Sequence, residues 1–288
     1  MKTLLIAAEK GGTGKTALLC QFAHYLHLAR HLRVLVIDLA EPACSTASLA
    51  RSRRAVILRG DTVTAWQGRL CPRTHAAGLR VLPAHAIKGL SLEPGADGAR
   101  YYANVRHLLC VVTAYADVCL IDCPPLPDLR TVCVESAVDA MVSPILLSSE
   151  ALDSAADLIN GARGVRNVRA RLNPALHFIG LLPNMVEQTS LQQAQARVIE
   201  TRFGGWLIAD RREPQGYLRI PRLAAIAKAQ AAGISVSELA RTGSAARRAW
   251  DSMRACFEAL ACELDLGEPP CEALDVCDAS GDVEPCHV

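Results

Sequence analysis

This sequence predicts an α/β fold with a doubly wound, mostly parallel sheet flanked by helices, on three observations. Apolar runs of strand length alternate with longer segments of helical character. The runs are apolar on both faces, as strands sandwiched between two helix layers must be. The first run leads straight into a glycine-rich turn with a helix-like stretch behind it.

Taken in order, the first strand is residues 4–8 (Leu-Leu-Ile-Ala-Ala), and a helix-like segment covers 17–30. Residues 34–38 form a second apolar run that ends on Asp38. Residues 51–78 are the least regular and read as loops and short helices, before a third strand at 79–83. A helix over 99–115 precedes the strand 118–122, which ends on Asp122. Strands at 140–147, 177–183 and 206–210 then alternate with helices at 151–165, 190–203 and 245–264. No internal repeat and no linker interrupts residues 1–264, which therefore read as one domain. Residues 265–288 are rich in Pro, Gly and acid and read as a disordered tail.

The chain has 288 residues and is 51% hydrophobic, enough for one sizeable core. Its net charge of +2 hides an asymmetry. Residues 265–288 carry seven acids and no Lys or Arg, which leaves 31 basic and 22 acidic side chains in residues 1–264, a net of +9. A basic body suggests an anionic partner, nucleic acid first, against the plainer reading of a solvated surface. No run of about 18 apolar residues is present, so no membrane span is expected. The first strand follows Met1-Lys2 directly, and the expectation is a cytoplasmic chain without a leader. Twelve cysteines occur with no Cys-x-x-Cys pair. Cys20, Cys110, Cys119 and Cys133 lie in apolar runs and read as small core residues.

Residues 9–16 read Glu-Lys-Gly-Gly-Thr-Gly-Lys-Thr between the first strand and the first helix. Such a loop aims backbone N–H groups at a phosphate chain, and the helix behind it adds its positive end. Lys15 is spaced to reach the β/γ-phosphates and the Thr16 hydroxyl to hold Mg²⁺, which names a nucleoside triphosphate as the ligand class. The ordinary pattern begins with Gly, where this chain has Glu9, and an additional lysine, Lys10, precedes the paired glycines. Lys-Gly-Gly-Thr-Gly-Lys-Thr resembles the deviant Walker A of the ParA/MinD family of P-loop ATPases. The resemblance implies that Gly11, Gly12, Thr13, Gly14, Lys15, Thr16 and Ala17 cradle ATP. It also implies that Lys10 reaches across a dimer interface to the partner's nucleotide.

Two strand ends extend the resemblance. Asp122 closes an apolar strand and is followed by Cys123-Pro124-Pro125, similar to the family's Walker B ending. Asp122 is then the carboxylate on the Mg²⁺ side, and 123–128 the segment that senses the phosphates. Asp38 matches the first aspartate of the family's Asp-x-Asp-Pro-Gln, also near the metal. The second aspartate, which orients the attacking water, falls on Ala40, and the family's second loop Thr falls on Ala17. With no group to position water, slow intrinsic hydrolysis is expected unless Glu41 substitutes.

Further along, Leu181-Leu182-Pro183-Asn184-Met185 resembles the strand and loop beside the adenine, so Asn184 is either a base contact or a turn cap. Residues 206–211 resemble a late strand whose following loop closes over the base, and 223–236 also fit the family pattern. Arg211, Arg219, Arg222, Lys228, Arg247 and Arg248 cluster late, where the family binds DNA without reading bases; a solvated helix face is the alternative. His24, His27 and His31 share a helix face without a carboxylate or Cys partner and read as a partly exposed face rather than a metal site. The tail is acidic where the membrane-binding branch ends in a basic amphipathic helix, so no membrane partner is expected.

The sequence thus leads to a ParA-like ATPase with ATP and Mg²⁺ as ligands. It would form a nucleotide-dependent homodimer, bind non-specific DNA and a ParB-like adaptor, and reside in the cytoplasm, on the nucleoid if DNA binding holds. The alternative is a weakly hydrolysing, ATP-dependent regulatory or binding module.

Overall fold

The computed structural model describes residues 1–58, 77–83, 98–213, 216–241 and 243–267. Seven parallel strands form one sheet in the order β3-β4-β2-β5-β1-β6-β7. They are β1 (Lys2–Ile6), β2 (Arg33–Asp38), β3 (Ala55–Ile57), β4 (Gly78–Pro83), β5 (Val118–Asp122), β6 (Ala140–Ile145) and β7 (His177–Pro183). β1 lies centrally, between β5 and β6. From β1 the chain runs out through β2 to the edge strand β3, returns inward through β4 and β5, and then builds outward on the other side through β6 and β7, with a crevice at the carboxyl ends of the central strands.

Ten helices among the described residues cover the two faces. One layer holds α1 (Lys15–Leu28), α2 (Cys44–Leu49), α8 (Ala224–Ala232), α9 (Val236–Ala240) and α10 (Ser244–Glu263). The other holds α3 (Gly98–Val112), α4 (Leu129–Glu135), α5 (Ser149–Asn160), α6 (Val165–Arg171) and α7 (Ser190–Phe203). β1 divides its side chains between the layers, with Leu4 and Ile6 in the first core and Leu5 in the second. That two-sided burial is why the strand reads as an unbroken apolar run. In the first layer, Phe22 and Tyr25 of α1 meet Phe257 of α10 at ring distances of 5.3 and 5.5 Å. Buried Gln21 ties α1 to the start of α9, donating to the Ile234 carbonyl and accepting from the Val236 N–H.

Several sequence expectations need correction. Residues 206–210 form no strand: a 3₁₀ turn (Gly204–Trp206) is followed by isolated bridges from Leu207 to Leu181 and from Ala209 to Tyr217. The helix expected over 151–165 stops at Asn160 and restarts at Val165. A Cβ on the intervening Gly161 would sit 2.4 Å from the Asp157 carbonyl oxygen, so a side chain cannot be accommodated there without a shift. Cys20, Cys119 and Cys133 are core residues, whereas Cys110 is exposed. His24 is buried rather than on a partly exposed face, and burial pushes its pKa down to about 4.

Of the irregular region expected at 51–78, the described part includes the short edge strand β3. At the boundary expected at residue 265, Asp265 accepts an ion pair from Lys2 at 3.0 Å, and Arg30 donates to the carbonyls of Leu266 and Gly267. The rest of the expected tail, 268–288, lies outside the described residues. Among the described residues no helix is long and apolar enough to cross a membrane.

Candidate nucleotide site

The glycine-rich loop leaves β1 at the centre of the crevice and turns into α1 through Gly14, which has φ +85°. That left-handed conformation suits glycine, and a Cβ there would lie 2.4 Å from Asn184 Nδ2. No side chain caps α1, so its first N–H groups retain their capacity to bind an anion. Gly11 and Gly12 open onto free space, with nothing within 4 Å of a Cβ built on either. Lys15 is buried, its Nζ 3.4 Å from the Lys10 carbonyl oxygen. Burial lowers its pKa, opposed by the charge of Asp122. The geometry is a buried ammonium beside an uncapped helix start.

Beside it, the in-register pairing of β2 with β5 sets Asp38 next to Asp122. Both are fully buried. Asp38 accepts from the Ala40 N–H at 3.2 Å and from the N–H and hydroxyl of Thr46 at 2.7 Å each. Asp122 accepts from the Thr16 hydroxyl at 2.9 Å through Oδ2, while its buried Oδ1 has no partner. Burial first, and the neighbouring Asp38 second, push the Asp122 carboxyl up to about 6. Two adjoining buried carboxylates, a hydroxyl and an orphaned carboxylate oxygen fit a hard divalent cation such as Mg²⁺, which takes one or two carboxylates and completes its shell with phosphate and water.

Asn184 lies at the end of β7, 6% exposed, and its Nδ2 donates to the Thr13 carbonyl at 2.7 Å. It therefore buttresses the phosphate loop, and its Oδ1 accepts from the Met185 N–H. Next to it opens a largely apolar cavity of about 470 Å³, lined by Ala17, Leu18, Met185, Ile220, Pro221 and Leu223 among others. Its walls suit the flat face of a nucleobase. The chain that returns through 220–223 after the 206–210 segment supplies one side. Sequence reasoning pointed to Ala17, the 181–185 segment and the loop after 206–211, but missed Leu18 in this lining and Thr46 as the partner of Asp38, because contacts between distant segments leave no local signal.

Lys10 is exposed and its Nζ approaches the Glu150 carbonyl at 3.5 Å, directed along the rim rather than into its own loop. Ala40 offers only its backbone to Asp38, and Glu41 is exposed, its carboxylate 3.7 Å from the Arg130 guanidinium. Arg130 is itself gripped by Asp128, at 2.9 Å. Of the late basic residues, Arg211 pairs with Glu263 at 3.4 Å and Arg222 with Glu187 at 3.2 Å. Arg219, Lys228, Arg247 and Arg248 are exposed.

Comparison with known proteins agrees with this geometry. Residues 4–236 match the model of the CobQ/CobB/MinD/ParA nucleotide binding domain. The chromosome partitioning protein ParA of Caulobacter vibrioides is 32% identical over 216 residues, covering 71% of this chain and 77% of that protein. Among solved structures, the ATP complex of Cyanothece McdA(D38A) superposes with a TM-score of 0.65 at 20% identity, covering 93% of this chain and 98% of that one. Cobyrinic acid a,c-diamide synthase from Mycobacterium smegmatis, with a bound ATP analogue and magnesium, gives 0.60 at 22% identity, covering 93% and 98%. The phosphate loop at the head of β1, the paired strand-end aspartates and the match over 4–236 have one reading: the chain belongs to the CobQ/CobB/MinD/ParA family and is a ParA-type P-loop ATPase.

Proposed function

We propose that this chain is a partitioning or positioning ATPase that binds Mg-ATP, closes into a homodimer on it, and holds non-specific DNA in that state. The observation that carries the reading is the unpartnered Oδ1 of buried Asp122 beside Thr16 and Lys15, under an uncapped helix start. A buried carboxylate left unsatisfied is costly unless a ligand completes it. Here Thr16, Asp122 and Asp38 would hold Mg²⁺, which supplies charge neutralisation to the phosphates. Gly11–Gly14 and the first N–H groups of α1 orient the triphosphate, Lys15 meets its terminal phosphates, and the apolar cavity takes the adenine. The ATP of the McdA complex and the magnesium of the synthase support this choice of ligands.

Lys10, exposed at the rim, would reach a second copy's triphosphate. ATP contacts made only in the closed pair would select that state. DNA would lie on Arg211, Arg219, Arg222, Lys228, Arg247 and Arg248 through phosphate contacts alone. A ParB-like adaptor would then promote hydrolysis, with the protein working in the cytoplasm on the nucleoid. The partitioning role of the Caulobacter relative supports this cycle. Intrinsic turnover is low, because Ala40 has no carboxylate and the Glu41 side chain is 86% exposed.

The experiment is ATP turnover of the full chain with and without mixed-sequence DNA, alongside DNA binding in ATP and in ADP. DNA binding in ATP but not ADP, with slow turnover, supports the cycle. Equal DNA binding in both nucleotides removes it.

A further inference from the structure

The late arginines are partly neutralised by their own fold. Arg211, Arg212, Arg222 and Arg254 pair with Glu263, Asp210, Glu187 and Glu258. Another set is not. Between Asp157 and Glu187 the sequence has no acid and four arginines, Arg163, Arg166, Arg169 and Arg171. All four are exposed, and none has a carboxylate ion pair among the described residues.

The turn before α6 and α6 itself hold them as a ledge. Val165 and Val168 are 0% and 1% exposed and anchor the helix on the core. Arg166 and Arg169 share the outer face, about 4.5 Å apart along the axis. The ledge is braced: Arg166 lies 5.4 Å over the Trp206 ring and donates to Asn160 at 2.9 Å, and Asn167 donates to the Gly161 carbonyl at 2.8 Å. Arg166 is thus held in place, and a charge already held costs less entropy to bind than a free arm.

The ledge also touches the nucleotide side. Arg163 donates to the Pro127 carbonyl, and its charge helps hold the neighbouring Asp128 carboxyl below its ordinary range, behind the larger effect of Arg130. Pro127 and Asp128 belong to the loop that follows Asp122.

We infer that Arg163, Arg166, Arg169 and Arg171 form a second polyanion-binding surface, fitted to the phosphate backbone of duplex DNA and bonded through Arg163 to the loop after Asp122. The inference rests on the DNA-binding reading above and adds a separate place. α6 packs in the layer of α3–α7, whereas Lys228, Arg247 and Arg248 lie on α8 and α10 across the sheet. Four arginines with no carboxylate ion pair among the described residues suit a repeating phosphate chain, and phosphate contact needs no base-reading side chain. A membrane surface fits less well, because the apolar side of α6 is already spent on the core.

The test uses the full chain in ATP, with anisotropy of a labelled mixed-sequence duplex measured across a salt series. Arg169→Glu/Arg171→Glu is compared with Arg247→Glu/Arg248→Glu. Binding of a fluorescent ATP analogue and the melting temperature report the fold. The α6 pair is expected to weaken DNA binding at low salt by about tenfold or more. It should also lower the salt slope by about two, because each arginine removed leaves one phosphate un-neutralised. Arg163→Gln is expected to weaken DNA binding by about threefold and lower the salt slope by about one, and an unchanged affinity and slope removes Arg163 from the surface. An unchanged affinity and slope in the α6 pair, with binding abolished in the α10 pair, overturns this surface and leaves the DNA reading standing. Wild-type chain that binds ATP but no duplex overturns both. Binding to phosphatidylserine vesicles but not DNA, abolished in the α6 pair, overturns the choice of partner.

Discussion

The side-chain amide of Asn184 donates to the backbone carbonyl of Thr13 at 2.7 Å, tying the end of β7 to the phosphate loop across 171 residues of sequence. The bond is buried and fixes a carbonyl that would otherwise be free to turn toward the phosphates. Asn184→Ala removes a buried hydrogen bond worth about 1–1.5 kcal/mol and leaves the Thr13 carbonyl unsatisfied. Affinity for a fluorescent ATP analogue should fall about tenfold, the equivalent of about 1.4 kcal/mol. An affinity within twofold of wild type contradicts the buttressing role.

The same contact makes Gly14 intolerant of a side chain. Its φ is +85°, and a Cβ would approach Asn184 Nδ2 to 2.4 Å and the Met185 methyl to 2.9 Å. Gly14→Ala therefore meets a backbone penalty of about 1–2 kcal/mol together with displacement of the buttress. Nucleotide binding is expected to drop below detection at micromolar protein, with far-ultraviolet circular dichroism unchanged. Normal binding by this variant would mean that loop and buttress move independently.

What could be read from sequence divides along physical lines. β5 is read at its observed limits because burial on both faces leaves an unbroken apolar run closed by Asp122, and β7 at its limits because its apolar residues run up to Pro183. Lys15 and Thr16 were legible because a strand–loop–helix has fixed spacing, and Asp122 because it closes an apolar strand; the β1–β5 pairing then brings Thr16 and Asp122 into a hydrogen bond. Residues 206–210 have the composition of a strand, yet they form only isolated bridges, because composition does not carry the identity of a neighbour. β3 is three residues long, too short for any period to show. Nothing local announces that Thr46 serves Asp38 or that Asn184 serves Thr13; both are products of topology.

Ala40 bears on rate rather than on binding. It follows Asp38 by two residues and donates its N–H to that carboxylate at 3.2 Å, so position 40 borders the metal side of the crevice. A carboxylate placed there can orient water, a contribution of about 10²–10⁴ in rate for a well-positioned general base. Ala40→Asp is expected to raise kcat by about a hundredfold, the lower end of that range, with ATP affinity little changed. The measurement is steady-state phosphate release beside analogue binding. An unaltered kcat would place the water-orienting group elsewhere, and Glu41→Gln in the parent chain would then identify whether Glu41 supplies it.

Glu135, the last residue of α4, is fully buried, and neither carboxylate oxygen has a partner. Burial, and then the charge of Glu9, push its pKa from 4.5 up to about 8. The folded chain thus retains a proton that the unfolded chain releases. Between pH 4.5 and about 8 the native state binds more protons, so stability falls as pH rises through that window. The slope from this one group is at most about 1.4 kcal/mol per pH unit, and it flattens above the folded-state value. Glu135→Gln keeps the shape and removes the proton. Chemical denaturation of both proteins at pH 5 and pH 8 should show the wild type losing stability relative to the variant, which becomes the more stable of the two at the higher pH. Parallel profiles would mean that Glu135 is ionised in the folded state, with a partner satisfying it.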